Sequence, residues 1–350
     1  MVRASYIAHP LQFKRPAGTS RGVLKQKSCW YITLTTPDGS RGLGEVSFIP
    51  GLSVEDPREI EIQVDHVCKL LSRGEMDPEQ PLPSLPGVQF ALETATKDMS
   101  TGGTQLLFPS EFTRGRAGIA TNGLIWMGDR SYMKRQIGEK LEMGFRVLKL
   151  KVGALELEEE LNLLHGIRLE YGEKELEIRL DANGAWEAEQ ALECMQKFSA
   201  FGIHSIEQPI ARGQIPEMAA LCDKGPIPVA LDEELIGLTS SKERTELLEA
   251  IRPAYIILKP GLLGGFSVAE EWIRLAEKHN SGWWVTSALE SSLGLNAIAQ
   301  WTYEKDVVLP QGLGVGTLYT NNITSPLQME GDQLWHLPHK GWELQQISQT

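Results

Sequence analysis

The sequence predicts an α/β protein: a (β/α)8-type barrel, or modified TIM barrel, preceded by a smaller α+β unit. Three observations carry this. From about residue 118, short β-branched or apolar runs end in polar residues, and each is followed by a helical stretch. The runs close near Ile125–Trp126, Lys151, Asp181, Glu207, Asp232, Lys259, Ser287 and Gly312, at intervals of 25 to 30 residues from Lys151 onward. Such intervals accommodate a strand, a loop, a crossover helix and a second loop, and eight of these units close into a barrel. Finally, the acidic strand ends do not resemble the glycine-rich phosphate turn of the competing architecture, an open doubly wound sheet.

Before the barrel, residues 29–36 (Cys-Trp-Tyr-Ile-Thr-Leu-Thr-Thr) alternate as a strand, Pro37-Asp38-Gly39 is a turn, and Gly42–Phe48 returns as the partner. Helical stretches follow at roughly 57–73 and 87–99; the second, around Val88–Ala95, has the composition of a buried helix. Gly102-Gly103 and Pro109 mark a boundary within 100–117. The expected domains are therefore 1–117 (α+β) and 118–320 (barrel). A Trp-rich tail, 321–350, is expected to complete the first domain.

Composition narrows the partners. A hydrophobic fraction of 41% and a charged fraction of 23% describe an ordinary globular chain. A formal net charge of −12 argues against nucleic acid or an anionic membrane surface, since both select a basic face. An anionic small molecule remains compatible, because a local metal or lysine cluster outweighs the global balance. Cys29, Cys68, Cys194 and Cys222 form no Cys-x-x-Cys pair and read as reduced thiols. No signal-peptide pattern and no stretch of about 20 apolar residues is present, so a cytoplasmic location is expected; the oligomeric state is left open.

Strand parity then assigns the chemistry. Alternate residues of a strand point to opposite faces, so Leu148, Leu150 and Val152 lie under the helices while Lys149 and Lys151 face the barrel axis. The same arithmetic aims Arg179, Asp181 and Asn183 inward. Ile206-Glu207, Leu231-Asp232 and Leu258-Lys259 each pair an outward apolar residue with an inward charge. Five consecutive strands thus carry charge at the C-terminal mouth, where barrel enzymes place their sites. With Ile125 ending strand one, Lys151 and Lys259 end strands two and six, opposite each other in a ring of eight. Asp181, Glu207 and Asp232 fill the arc between them.

Three converging carboxylates need a counter-charge, and a hard divalent cation with oxygen ligands, magnesium or else manganese, supplies it. Lys151, held partly neutral by the metal and by Lys149, could then take a proton from carbon. Taken singly, a strand-end aspartate is usually a solvated or capping residue and a Lys-x-Lys pair a solvated strand face. Recurrence at one level across five units outweighs those readings. Glu233 and Glu234, beside Asp232, read most simply as outward or loop charges.

Lys149-Leu150-Lys151, Asp181-Ala182-Asn183-Gly184-Ala185-Trp186, Ile206-Glu207-Gln208-Pro209, Leu231-Asp232-Glu233-Glu234 and Ile257-Leu258-Lys259-Pro260 together resemble the enolase superfamily, in particular its muconate-lactonizing subgroup. The resemblance implies a capping domain at the N-terminus and an enediolate made by Lys151 as base, with metal on Asp181, Glu207 and Asp232. It also implies Lys149 as a tuning group, Lys259 as a charged stabiliser over the ring, and Asn183, Ser287 and Leu289 as substrate contacts. Lys14–Gly22 and Val46–Leu52 are the expected closing loops.

Within the subgroup, Ser287–Leu295, Asn122–Met127, Gly312-Leu313-Gly314 and Thr320-Asn321-Asn322 resemble the dehydratases of menaquinone biosynthesis. Those enzymes remove water from 2-succinyl-6-hydroxy-2,4-cyclohexadiene-1-carboxylate. Dipeptide epimerases carry an Asp-x-Asp after strand eight, whereas 307–325 contain no acidic residue. N-acylamino-acid racemisation with Lys151 and Lys259 on opposite faces is the alternative activity. A non-catalytic metabolite-binding homologue is the reading from another class.

Overall fold

The computed structural model describes residues 2–19, 22–314 and 318–347. Strands β1 (Arg3–Ala8), β4 (Trp30–Thr35) and β5 (Arg41–Val46) form an antiparallel sheet in the order β1-β4-β5, and β2 (Leu11–Thr19) pairs with β3 (Gly22–Lys27) as a separate hairpin. Helices α1 (Ile60–Arg73) and α2 (Pro86–Ser100) cover the sheet. Helix α1 stops at Gly74, whose φ of 70° closes the left-handed cap that glycine adopts without steric cost. Helix α2 lies flat on β5 because Gly42 and Gly44 have no side chain. A Cβ at Gly44 would sit 1.9 Å from the Ala91 carbonyl oxygen, and one at Gly42 1.9 Å from that of Ala95.

Residues 101–118 are irregular, and the chain then enters β6 (Ile119–Ala120), β7 (Gly123–Ile125) and α3 (Arg130–Glu142). Alternating units follow: β8 (Val147–Lys151), α4 (Leu157–Glu170), β9 (Glu177–Asp181), α5 (Ala188–Phe198), β10 (Ile203–Glu207), α6 (Ile215–Lys224), β11 (Val229–Leu231) and α7 (Ser241–Ile251). Then come β12 (Tyr255–Leu258), α8 (Pro260–Leu263), α9 (Phe266–Lys278), β13 (Gly282–Val285) and α10 (Ser292–Tyr303). The seven strands β7 to β13 form one parallel sheet in sequence order. The eighth position is a two-residue piece: Gln311 bridges Thr121 and Gly312 bridges Thr286, both parallel, so the sheet curls shut. The expected barrel is present, with its eighth strand reduced to this bridge.

Side-chain parity inside the barrel follows the period of two. Val229, Leu231, Ile256, Leu258 and Val285 join the large cluster under the helices, whereas Ala230, Ile257 and Trp284 form a separate cluster inside. Arg179 stacks on Trp284 with its guanidinium carbon 4.5 Å from the ring centroid and donates to the Pro310 carbonyl at 2.9 Å. This layer fills the barrel below the charged mouth.

The chain ends in β14 (Leu327–Glu330) and β15 (Gln333–His336), a hairpin whose β15 pairs with β6. Beyond it, Ile347 packs in one cluster with Leu11, Tyr31 and Tyr319. Cys29, Cys68, Cys194 and Cys222 are all free thiols. Among the described residues no helix is long and apolar enough to cross a membrane.

Candidate active site

Five neighbouring strands deliver charged side chains to one end of the barrel. Lys149 and Lys151 come from β8 and Asp181 from the last position of β9, paired in register with Lys151. Glu207 ends β10, opposite Asp181, while Asp232 and Lys259 each directly follow β11 and β12. In the closed ring, β9, β10 and β11 separate the Lys151 strand from the Lys259 strand on one side, and β13, the bridge and β7 on the other. The two lysines therefore approach the cavity from opposite walls.

Asp181, Glu207 and Asp232 are at most 2% exposed. Lys151 Nζ lies 2.7 Å from Asp181 Oδ2 and also contacts Asn183 Oδ1. Lys149 Nζ lies 2.8 Å from the same Asp181 oxygen and pairs with Glu207, while Lys259 pairs with Asp232. Burial works against the Lys149 ammonium, but Asp181, Glu207 and Asp232 overcome it and hold its pKa above the ordinary lysine value. Lys259 is raised for the same reason, with Asp232 the leading partner. Asp181, despite burial, is held below the usual carboxylate range by Lys149 and Lys151. Glu207 moves the other way: burial and then the Asp181 charge push it well above that range.

Among the described residues no three His, Cys, Asp or Glu side chains stand together as a ready cation cage, because ammonium groups lie between the carboxylates. The donor set nonetheless fits a hard divalent cation. Three carboxylates end adjacent strands, and Glu207 Oε1 and Asp232 Oδ1 are buried with no hydrogen-bond partner among the described residues.

Above these groups lies a cavity of about 700 Å³, lined by Lys149, Lys151, Asp181, Asn183, Lys259, Ser287 and Leu289 among others. Of the catalytic, metal and substrate candidates, all line it except Glu207 and Asp232, which are buried and paired with Lys149 and Lys259; Arg179, also aimed inward by parity, lies in the layer below. Three polar atoms in its wall, Asn122 Oδ1, Thr286 Oγ1 and Ser287 Oγ, are buried and lack a partner among the described residues, as contacts for a polar ligand would be. Leu124, Trp126, Ile49, Leu52 and Leu289 supply apolar wall.

The N-terminal unit closes the top with Phe13–Pro16 and with Ile49, Pro50 and Leu52. The segment 14–22, expected as a loop, is mostly hairpin: β2 and β3 run through it, with Ser20 and Arg21 outside the described residues. The ladder shifts register between Gln12 and Ala17, so a bulge containing Pro16, which has no N–H to donate, presents Lys14 and Arg15 to the cavity.

Two residues correct the simple reading of the Asp-Glu-Glu run. Glu233 is buried, lines the cavity and accepts a hydrogen bond from Asn183 Nδ2 at 3.0 Å. Glu234 is also buried, accepting from Gln208 Nε2 at 3.1 Å and from the Gly213 amide at 2.8 Å. Both sit in a 3-10 turn, Glu233–Leu235, where strand parity no longer applies. Asn122 stood in the sequence only as the first residue of the Asn122–Met127 resemblance, with no role assigned, and Thr286 had no signal beyond its place just after β13.

Known proteins share this architecture. The Enolase C-terminal domain-like family model matches residues 132–331. The o-succinylbenzoate synthase of Desulfotalea psychrophila is 47% identical, over 95% of this chain and 98% of that protein. The crystal structure of MenC from the same organism superposes with a TM-score of 0.84 at 43% identity, covering 95% of this chain and 99% of that one. The L-Ala-D/L-Glu epimerase of Bacillus subtilis shares the fold, with a TM-score of 0.80 at 21% identity, covering 96% and 95% of the two chains. A barrel mouth of paired lysines over three strand-end carboxylates, with this family match, shows that the chain belongs to the enolase superfamily.

Proposed function

We propose that this chain is an o-succinylbenzoate synthase, a hydro-lyase that removes water from 2-succinyl-6-hydroxy-2,4-cyclohexadiene-1-carboxylate. The observation that carries the reading is the 47% identity to a protein of that name across nearly the whole of both chains. The opposed lysines and the cavity they line support it. Divalent-metal dependence belongs to the family in general. The ion here would be magnesium, or manganese in its place, held by Asp181, Glu207 and Asp232, and it would stabilise negative charge on the substrate carboxylate.

The protein's own groups would do the rest. Lys151, as the neutral amine, takes the proton from the carbon that bears the carboxylate. The C–H electron pair first delocalises into the substrate carboxylate as an enediolate, then returns to form the ring double bond as the neighbouring C–OH bond breaks. The Lys151 ammonium returns the proton to the departing hydroxide, so water leaves from the same face and the ring is aromatic. Lys149, between Asp181 and Glu207, offsets their charge and sets a second positive group beside Lys151. Lys259 stays charged on the opposite wall, where Asp232 holds it, and lies over the ring as a cation–π partner. Asn183, Ser287 and Leu289 orient the substrate from the cavity wall.

Purified protein with magnesium should convert the cyclohexadiene to o-succinylbenzoate, followed by ultraviolet absorbance, and chelation should stop it. Absence of conversion with metal present would remove the proposal. N-acylamino-acid racemisation is favoured by one observation, the placement of Lys151 and Lys259 on opposed strands, and α-deuterium exchange on N-succinyl amino acids tests it. The absence of acidic residues from 307–325 disfavours substrates carrying an ammonium group there.

A further inference from the structure

Away from the catalytic lysines, the interface between the N-terminal unit and the barrel buries charged groups that the proposed reaction does not use. Lys27, Glu45 and Glu290 are at most 2% exposed. Glu45, on β5, accepts hydrogen bonds from the Ser291 amide at 2.9 Å, Ser291 Oγ at 2.6 Å and the Gly294 amide at 2.9 Å. It therefore serves the first turn of the barrel helix α10. Lys27 Nζ lies 3.7 Å from Glu45. Glu290 accepts from Ser47 Oγ at 2.8 Å with one carboxyl oxygen and from the Ala288 amide at 2.6 Å with the other.

The placement of these residues matters. Ser47 directly precedes the stretch whose Ile49, Pro50 and Leu52 roof the cavity. Glu290 directly follows Ser287–Leu289, which form the cavity wall, and Leu289 is held there at φ 60°, a conformation costly for a side chain of its size. The contact has a third side. Gly261, two residues after Lys259, packs against it so closely that a Cβ there would sit 2.6 Å from both Glu290 Oε1 and Ser47 Cβ.

We propose that Glu290 is a positioning residue: through Ser47 and Ala288 it latches the roof loop 46–52 to the wall loop 287–291 over the Gly261 turn, and so sets the substrate-binding shape of the cavity. The effect on turnover rests on the dehydratase reading; the latch itself does not. Burial, with Glu45 nearby, pushes the Glu290 carboxyl above its ordinary range despite Lys27, so a neutral amide is the appropriate conservative replacement. In glutamine, the oxygen can accept from Ala288 and the amide can donate to Ser47.

The test compares Glu290→Ala, Glu290→Gln, Ser47→Ala and Gly261→Ala in the magnesium-loaded enzyme. Displacing a binding wall without touching the reacting groups should raise KM about ten-fold for the alanine variants, with kcat changed by less than about three-fold. Glu290→Gln should restore KM to within about two-fold of the parent protein. Hydrogen exchange should accelerate in 46–53 and 287–291 of Ser47→Ala and Glu290→Ala while β7–β13 stay protected. Unchanged exchange in those two segments, or a Glu290→Gln variant as impaired as Glu290→Ala, overturns the latch. Should Glu290→Ala fail to fold, the single-hydroxyl change in Ser47→Ala and the added methyl in Gly261→Ala decide the same question. A parent protein inert toward the cyclohexadiene overturns the dehydratase reading alone, and the exchange pattern then judges the latch.

Discussion

Replacing Lys149 with methionine, which keeps the length of the side chain and removes its charge, should destabilise the metal-free protein strongly at neutral pH. Lys149 Nζ is 2.8 Å from Asp181 Oδ2 and also contacts Glu207, in a site where both carboxylates are nearly inaccessible. At an effective dielectric of about 20, one such pair is worth roughly 6 kcal/mol of attraction, most of it offset by desolvation. Removing one partner of a buried pair typically costs about 3–5 kcal/mol. Asp181 keeps Lys151, and Glu207, whose carboxyl is already raised, can take up a proton, so the expected loss is at the lower end, about 3 kcal/mol.

The sign follows from Asp181, whose folded-state pKa is lowered. The stability it contributes is present above its unfolded pKa and is lost as pH falls through the folded value. The deficit that Asp181 contributes should therefore be nearly full from pH 8 down to about pH 4 and shrink only below that, as pH falls from the unfolded carboxylate value towards the folded one. Urea unfolding in chelator at about pH 8, 4 and 2.5 reads it. Adding magnesium should recover part of the deficit at pH 8, because a cation bound to the folded state alone adds stability. A Lys149→Met protein as stable as its parent in chelator at pH 8 would refute the claim that an ammonium compensates these carboxylates.

Other perturbations have equally definite outcomes. Burial raises Glu160 to about 7, against the hydrogen bonds it accepts from the Gly153 and Leu155 amides. Its raised pKa means the folded state binds the extra proton, so stability is lost as pH rises from the unfolded carboxylate value through about 7. Glu160→Gln should stabilise the protein at pH 8 by about 1–3 kcal/mol and have little effect at pH 4, measured by thermal unfolding at both. Gly44→Ala forces a methyl group into the Ala91 carbonyl and should cost about 3 kcal/mol, visible as a lowered urea midpoint. Lys259→Met should lower kcat by about 10²-fold, and Lys259→Arg, which keeps a cation beside Asp232, should lose less; equal losses would contradict an electrostatic role.

Much of the barrel was legible because its signal is local. A strand buried on one face by helices alternates, and Lys149-Leu150-Lys151 or Arg179-Leu180-Asp181 announces its inward face without any knowledge of partners. The order of those strands then gave the opposition of Lys151 and Lys259. Parity is informative only while the chain remains extended. Glu233 and Glu234 lie just past that limit, in a 3-10 turn, and looked like loop charges although both are buried. The eighth strand was legible as an interval but not as a two-residue bridge, since its pairing depends on Thr121 and Thr286, far away in sequence. The bulged hairpin at Lys14–Pro16 was hidden because Pro16 and Gly18 read as loop punctuation. Least visible was the Lys27, Glu45 and Glu290 cluster. Its members lie on separate strands and a distant loop, and no spacing rule links them.

The central claim, that Lys151 moves the proton, is tested most directly by the turnover of Lys151→Ala with magnesium bound and the fold verified by unfolding. The side chain sits at the cavity edge beside Asp181 and Asn183, so its removal should leave the barrel intact. Loss of a positioned general base predicts a fall in kcat of about 10²–10⁴-fold or more, with product still able to bind. Ultraviolet-monitored dehydration within about ten-fold of the parent rate would contradict the account, because another group would then be taking the proton.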